Sequence, residues 1–208
     1  MIHATEREGW FDDVPAHINS HWIVERIQVW LEAEALPFMM GVLATVDNNG
    51  QPASRTVAIR EVTAEGLLFF TQSGSAKVAE LSAKPSASFT FMLPHTQRQV
   101  TVVGKVQPLD ANENSSYWET YDQERRLRFL VYGTKSGQPL EKQQHLDEEL
   151  TALRARYRDR LPERPSAYVG YRIVPETVKF YQLNAHRLSD AVSVLRTEDE
   201  WTLQRYVP

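Results

Sequence analysis

Cysteine is absent from all 208 positions of the chain, which removes disulfides, zinc–thiolate sites and thiol catalysis from consideration. No apolar run approaches the length needed to span a bilayer. The opening Met-Ile-His-Ala-Thr-Glu-Arg-Glu lacks the basic-then-apolar order of a secretion signal, so a soluble, cytoplasmic protein without membrane partners is the expectation. Positive charge is in deficit: 23 Lys and Arg against 27 Asp and Glu leave a net charge of -4, and no basic face is available to draw nucleic acid. Of the six histidines only His17 and His21 stand four apart, near the start of the chain, so no metal site is expected. The acidic runs Asp12-Asp13 and Asp147-Glu148-Glu149 suit a helix cap and a solvated face better than paired catalytic carboxylates.

What remains is an ordinary globular composition, 42% apolar, over a length that can bury one substantial core. Residues 1–20 are polar, carry Gly9 and Pro15, and read as a mobile arm ahead of a single domain, 21–208. In 21–35, Trp22, Ile23, Ile27, Trp30 and Leu31 fall at helical spacing, a stripe for packing onto a barrel with Trp30 in the core. Runs at 39–46, 53–60, 66–71, 86–93 and 98–107, punctuated by turn residues such as Asn48-Asn49-Gly50, predict a β-meander. Charged helical stretches follow at 110–131 and 140–160, separated by a loop at 133–139. Strands are expected at 168–174, 177–183, 191–196 and 201–206. The fold class is therefore mainly β with helices, an α+β protein.

Three segments carry chemistry. The strand ending at Thr71 runs into the turn Gln72-Ser73-Gly74-Ser75, from which a helix over 76–82 leaves. Free backbone N–H groups and hydroxyls at that helix start, with Lys77 beside them, would stabilise an anion; a plain N-cap by Ser73 or Ser75 explains the same residues. Arg55 opens an otherwise apolar strand with Val57 and Ile59, and a second cation aimed at the same anion is one solution for it. Gln99 alternates with Val100 and Val102, facing either a site or the surface.

Together Gly41-Val-Leu-Ala-Thr-Val-Asp-Asn-Asn-Gly-Gln-Pro52, Arg55-Thr-Val, Gly74-Ser-Ala-Lys77, Arg98-Gln-Val, Val178-Lys-Phe-Tyr-Gln182, His186-Arg-Leu188 and Trp201-Thr-Leu-Gln-Arg205 resemble the pyridoxamine 5'-phosphate oxidase family. The resemblance runs in order from about residue 25 to 208. It implies a split β-barrel that binds FMN at a homodimer interface and oxidises a small reduced or aminated ring substrate, with O2 as acceptor. On that resemblance Arg55, Lys77 and the Thr71 hydroxyl, next to Phe70, hold the FMN phosphate. Backbone at Thr56, Val57 and Ala58 and the side chain of Gln99 meet the ring. Lys135 and Ser136 of the other subunit stand where the family has Gln-Ser, and Tyr181 stands where it has tryptophan.

The substrate side departs further. Arg60, Tyr117, Tyr121 and Arg125 occupy positions where the family has a lysine, a tyrosine, an arginine and a serine gripping a phosphate. Spaced by four on one expected helix, 117, 121 and 125 share a face, so Arg125 either replaces the lost arginine or is simply solvated. The family's Arg-Leu-His-Asp-Arg reads Arg187-Leu-Ser-Asp-Ala191 here. Arg187 is the expected catalytic residue, lying over the substrate ring. Ser189 cannot carry a proton near neutral pH as histidine does. Ala76 and Ala191 replace two arginines near the FMN, which at about 1.5–3 kcal/mol per charged hydrogen bond weakens the cofactor by a few kcal/mol at most. These departures lean towards a non-B6 heterocycle, as in phenazine-type metabolism. The alternative is a flavin-binding or cofactor-free carrier or interaction protein.

Overall fold

The structure, a computed structural model, describes residues 14–15, 17–34, 39–133, 135–185, 188–198 and 200–208. Helix α1 (Ser20–Glu34) precedes three strands, β1 (Met40–Val46), β2 (Pro52–Thr63) and β3 (Gly66–Gln72). Helix α2 (Ala76–Ala83) leads into the hairpin of β4 (Ser86–Leu93) and β5 (Arg98–Pro108). Helices α3 (Ala111–Glu119), α4 (Gln123–Tyr132) and α5 (Gln143–Arg156) follow, then β6 (Tyr168–Gln182), β7 (Asp190–Arg196) and β8 (Trp201–Arg205). No helix among the described residues is long and apolar enough to cross a membrane.

The sheet order is β3-β2-β1-β4-β5-β6-β7-β8, and a further pairing of β3 with β6 closes the first six strands into an antiparallel barrel. This is the α+β barrel expected. β6 is one strand of 15 residues rather than the two expected: Tyr168–Ile173 pairs with β3, and Thr177–Gln182 pairs with β7. Pro175, which has no N–H to give a ladder, is absorbed by a register shift at Val103/Gly104 of β5. Gly104 is required there, because a Cβ would sit 1.9 Å from the Val174 carbonyl oxygen.

Alternation along the strands sends Leu43, Phe69, Phe89, Phe91, Val100, Val102, Ile173, Val178 and Phe180 inward, each fully buried. The α1 stripe covers this core with Ile23, Ile27, Trp30 and Leu31, and Trp30 packs edge-on to Phe180 with centroids 5.2 Å apart. Each such side chain contributes about 1.5–3 kcal/mol of burial. Residues 1–13 of the expected arm lie outside the described residues. Further along, Val14 and Ile18 pack on the core, and Ile18 bridges Trp201 of β8.

At the end of α1 the Glu34 carboxylate accepts from the backbone N–H groups of His95 (2.9 Å) and Thr96 (3.0 Å) and from the Thr96 hydroxyl (3.0 Å). Burial alone would raise its pKa. These donors outweigh that and hold the carboxyl below its usual range. Glu34 thereby pins the β4–β5 turn that leads into Arg98 and Gln99.

The stretch expected as one helix over 110–131 is two. Thr120 ends α3, and the Asp122 side chain accepts from the Arg125 N–H to start α4. An aspartate placed to cap a new turn competes with continuing the old one.

Candidate functional site

Two clusters of chemistry-bearing side chains lie on this frame, one at the start of α2 and one between β2 and the α3–α4 break. At the first, Ser75 occupies the N-cap position of α2 with extended backbone (φ -77°, ψ 147°), yet its side chain makes no cap hydrogen bond. Its hydroxyl lies instead 3.4 Å from that of Thr71, and both residues are buried. Lys77 Nζ donates to Thr71 Oγ1 at 3.0 Å. Desolvation, and after it the charge of Arg55, pushes the Lys77 pKa below the usual lysine value.

Arg55 enters this corner from β2. Its Nη2 donates to Glu80 Oε2 of α2 at 2.6 Å, its Nη1 donates to the Thr45 hydroxyl, and that hydroxyl donates to Glu80 in turn. Lys77 and the buried hydroxyls of Thr71 and Ser75 thus meet at the start of α2, with Arg55 and its partner Glu80 near enough for both charges to act on Lys77, where a plain cap would need only one hydroxyl. Glu80 offsets the charge of Arg55, and the half-buried Lys77 ammonium is left with only hydroxyl oxygen as its hydrogen-bond partner, so these residues fit the phosphate of a flavin nucleotide. Glu80 and Thr45 had no motif to announce them; their signal is only that a half-buried arginine on an apolar strand needs a partner.

Thr56 and Ala58 face outward on β2 while Val57 turns into the core. Gln99 also lies off the core face, its amide donating to Thr101 Oγ1 at 3.1 Å, and it sits opposite Tyr181 in the β5–β6 register. Tyr181 is opposite Ala191 and donates to Ser189 Oγ at 3.1 Å. Gln99, Tyr181 and Ser189 are therefore neighbours, as a ring-binding edge requires. Arg187 lies outside the described residues.

The second cluster forms around a bulge. Register slips between Ile59 and Glu61 against β3, so Arg60 and Glu61 are two successive polar, half-buried residues between buried Ile59 and Val62. Tyr117 Oη donates to Glu61 Oε2 at 2.9 Å, and Arg60 Nη2 donates to Thr120 Oγ1 at 3.2 Å. The guanidinium carbons of Arg60 and Arg125 lie 5.6 and 5.0 Å from the centroid of the buried Tyr121 ring. Phe70 packs on Tyr117 and stacks on Tyr168 at 5.2 and 4.9 Å between centroids.

The shared helical face expected for 117, 121 and 125 is corrected: Tyr117 is on α3, Tyr121 lies in the break and Arg125 is on α4. The break itself brings them to Arg60. Arg126, beside them in sequence, is structural and donates to the carbonyls of Tyr121, Glu119 and Pro162. Glu61 was missed, although two adjacent polar residues interrupting an alternating strand signal a bulge.

Lys135 and Ser136 line a cavity of about 510 Å3 with Gln72, Tyr132, Gln138, Pro139 and Leu140. Lys135 Nζ is paired there with Glu149 at 2.5 Å.

The closed six-stranded antiparallel barrel with its flanking helices is a split barrel of the α+β class. The match extends to family models: pyridoxamine 5'-phosphate oxidase over residues 31–128, and the pyridoxine 5'-phosphate oxidase C-terminal dimerisation region over 168–208. The pyridoxine/pyridoxamine 5'-phosphate oxidase of Pseudomonas fluorescens is 31% identical over 204 residues, covering 97% of this chain and 92% of that protein. That of Alteromonas mediterranea is 32% identical over 195 residues, covering 93% and 89%. The chain belongs to the pyridoxamine 5'-phosphate oxidase family, and so to the FMN-dependent oxidoreductases.

Among solved structures, PhzG from Burkholderia lata, in complex with tetrahydrophenazine-1-carboxylic acid, superposes with a TM-score of 0.82 at 24% identity over 95% of both chains. A pyridoxamine 5'-phosphate oxidase-related, FMN-binding protein from Nostoc punctiforme gives 0.72 at 22% identity over 88% of this chain and 96% of that one. Both likenesses concern the fold.

Proposed function

We propose that the chain is an FMN-dependent oxidase acting on a reduced ring or amine substrate: the substrate gives up two electrons and two protons and O2 becomes hydrogen peroxide. The observation that carries the reading is the Arg55–Lys77–Thr71–Ser75 corner, where burial, and after it the charge of Arg55, lowers the Lys77 pKa. Bound there, FMN supplies a two-electron acceptor. Arg55, fixed by Glu80 and Thr45, and Lys77, carried by Thr71, hold the phosphate. Thr56 and Ala58 present outward backbone, and Gln99 and Tyr181 present an amide and an aromatic plane, for the ring. Arg60, Tyr117, Tyr121 and Arg125 orient the substrate, and Arg187 is the proposed catalytic cation over it.

The working unit is a homodimer, with Lys135 and Ser136 serving the partner's site. The dimerisation-region match supports this, as do the exposed apolar side chains of Met40, Val42 and Met92 on the sheet face that also carries Ala58 and Gln99. The substrate is proposed to be a ring other than a B6 vitamer, because Ser189 stands where a histidine was expected and Tyr121 where an arginine was.

A second reading, flavin binding without turnover, is favoured by the Ser189 hydroxyl already engaged by Tyr181. One experiment separates them. The purified protein is incubated with FMN, gel-filtered, scanned for flavin absorbance, then mixed in air with pyridoxine 5'-phosphate or a reduced bicyclic heterocycle. Retained flavin with peroxide release from the heterocycle is the expected result. Retained flavin with no peroxide from either compound leaves the second reading, and no retained flavin sinks the oxidase and leaves a cofactor-free carrier or interaction protein.

A further inference from the structure

Arg60 and Glu61 would point to opposite sides of a regular strand, but the bulge between Ile59 and Glu61 brings both into the cluster beside α3 and α4. Glu61 there accepts the Tyr117 hydroxyl at 2.9 Å. Burial, and then that hydrogen bond, raise the Tyr117 pKa, so the phenol keeps its proton and stays turned to Glu61 throughout the neutral range. A hydroxyl committed to a carboxylate is withdrawn from any incoming anion.

The anion is left to two guanidinium groups. Arg60 and Arg125 both lie over the Tyr121 ring, and Arg60 Nε is buried without a hydrogen-bond partner. An unpaired buried donor on a planar fork is satisfied by one oxygen of a flat acid. Phe70 and Tyr117, packed on each other with centroids 5.2 Å apart, offer an aromatic surface for a ring attached to that acid.

Charge decides which acid. Arg60 and Arg125 contribute two positive charges, Glu61 removes one, and Arg172 beside Tyr117 is offset by its partner Glu113 at 3.2 Å, so the cluster balances a monoanion. A phosphate monoester dianion would place its second charge against the Glu61 carboxylate in a partly desolvated site, where like charges repel strongly.

We propose that Glu61 is a specificity-determining residue that tunes this site for a ring substrate bearing one planar carboxylate in preference to a phosphate ester. The inference rests on the oxidase reading above for its place in catalysis, but its test does not.

The test is calorimetric titration of the full-length protein with 1-naphthoate and 1-naphthyl phosphate, which share a ring and differ in the anion, with FMN occupancy recorded separately by absorbance. The wild type is expected to bind the carboxylate more tightly. Glu61→Gln should move the ratio of affinities towards the phosphate by roughly tenfold. Arg125→Gln should move it the other way while weakening both ligands. A ratio that stays fixed in Glu61→Gln, or one that moves towards phosphate in Arg125→Gln, overturns the proposal, as does binding of neither compound. Should Glu61→Gln fail to fold by circular dichroism, the Arg125→Gln shift decides alone. Loss of FMN binding sinks the oxidase reading and leaves the ratio readable.

Discussion

The two cationic clusters hold their charges in different ways. At the start of α2, Arg55 is tied by side chains of its own protein, Glu80 and Thr45, and Lys77 rests on a buried hydroxyl. Between β2 and the α3–α4 break, Arg60 and Arg125 rest on the face of a tyrosine, with one exposed hydroxyl, that of Thr120, accepting from Arg60. Hydrogen bonds fix direction as well as distance, whereas a ring face tolerates sliding. The first arrangement suits a ligand that stays, and the second suits one that must come and go.

Substitution can break that contrast. Arg55→Ala should have the largest effect, loosening FMN by roughly ten- to a hundredfold and destabilising the fold by about 1–3 kcal/mol, because Glu80 is left desolvated without its partner. Equilibrium dialysis and urea unfolding measure the two. Lys77→Ala should cost roughly tenfold in FMN affinity with little change in stability.

Lys77 also gives the corner a pH signature. Its pKa in the free protein is lowered, so it loses its proton at a lower pH than an ordinary lysine. A phosphate ligand needs the protonated form, so FMN affinity should fall as pH rises through that lowered value, and Lys77→Arg should flatten the profile. The free protein moves oppositely: a lysine with a depressed folded pKa adds stability as pH rises from that value to the unfolded one. An FMN fluorescence-quenching titration across alkaline pH that shows no decline removes Lys77 from the phosphate site.

Tyr121→Leu sharpens the contrast from the other side. It should raise the KM for the ring substrate several-fold by removing the support of both guanidiniums, while FMN affinity stays unchanged. The smallest effect is expected of Lys142→Ala, an exposed lysine ahead of α5, which should leave FMN affinity within error. If Lys142→Ala matched Arg55→Ala in FMN loss, the corner would be the wrong place.

Much of this was legible in the chain because it is local. Alternation placed the barrel strands to within a few residues, and the turn at 72–75 with the helix leaving it at 76 stands where the sequence puts it. Long-range partners were not legible: Thr45, Arg55 and Glu80 meet only through the barrel's closure, and no spacing encodes that. The α3–α4 break was hidden because charged, leucine-bearing residues run on either side of Asp122, and only its side chain's cap on Arg125 shows that a new helix begins. Arg60 read as a substrate residue, but its geometry depends on a bulge whose signal, the adjacent Glu61, was passed over. Trp30 went to the core because its stripe admits nothing else.

Closure of the barrel has a consequence for how the chain is made. Leu67–Gln72 of β3 finds its second neighbour in Tyr168–Ile173 of β6, about a hundred residues further along. Until that segment leaves the ribosome, β3 offers an open, strongly apolar edge, Leu67-Leu68-Phe69-Phe70, to any strand it meets. The barrel therefore closes only once β6 has emerged, and the pace at which the intervening residues are made bears on how long that edge stays open.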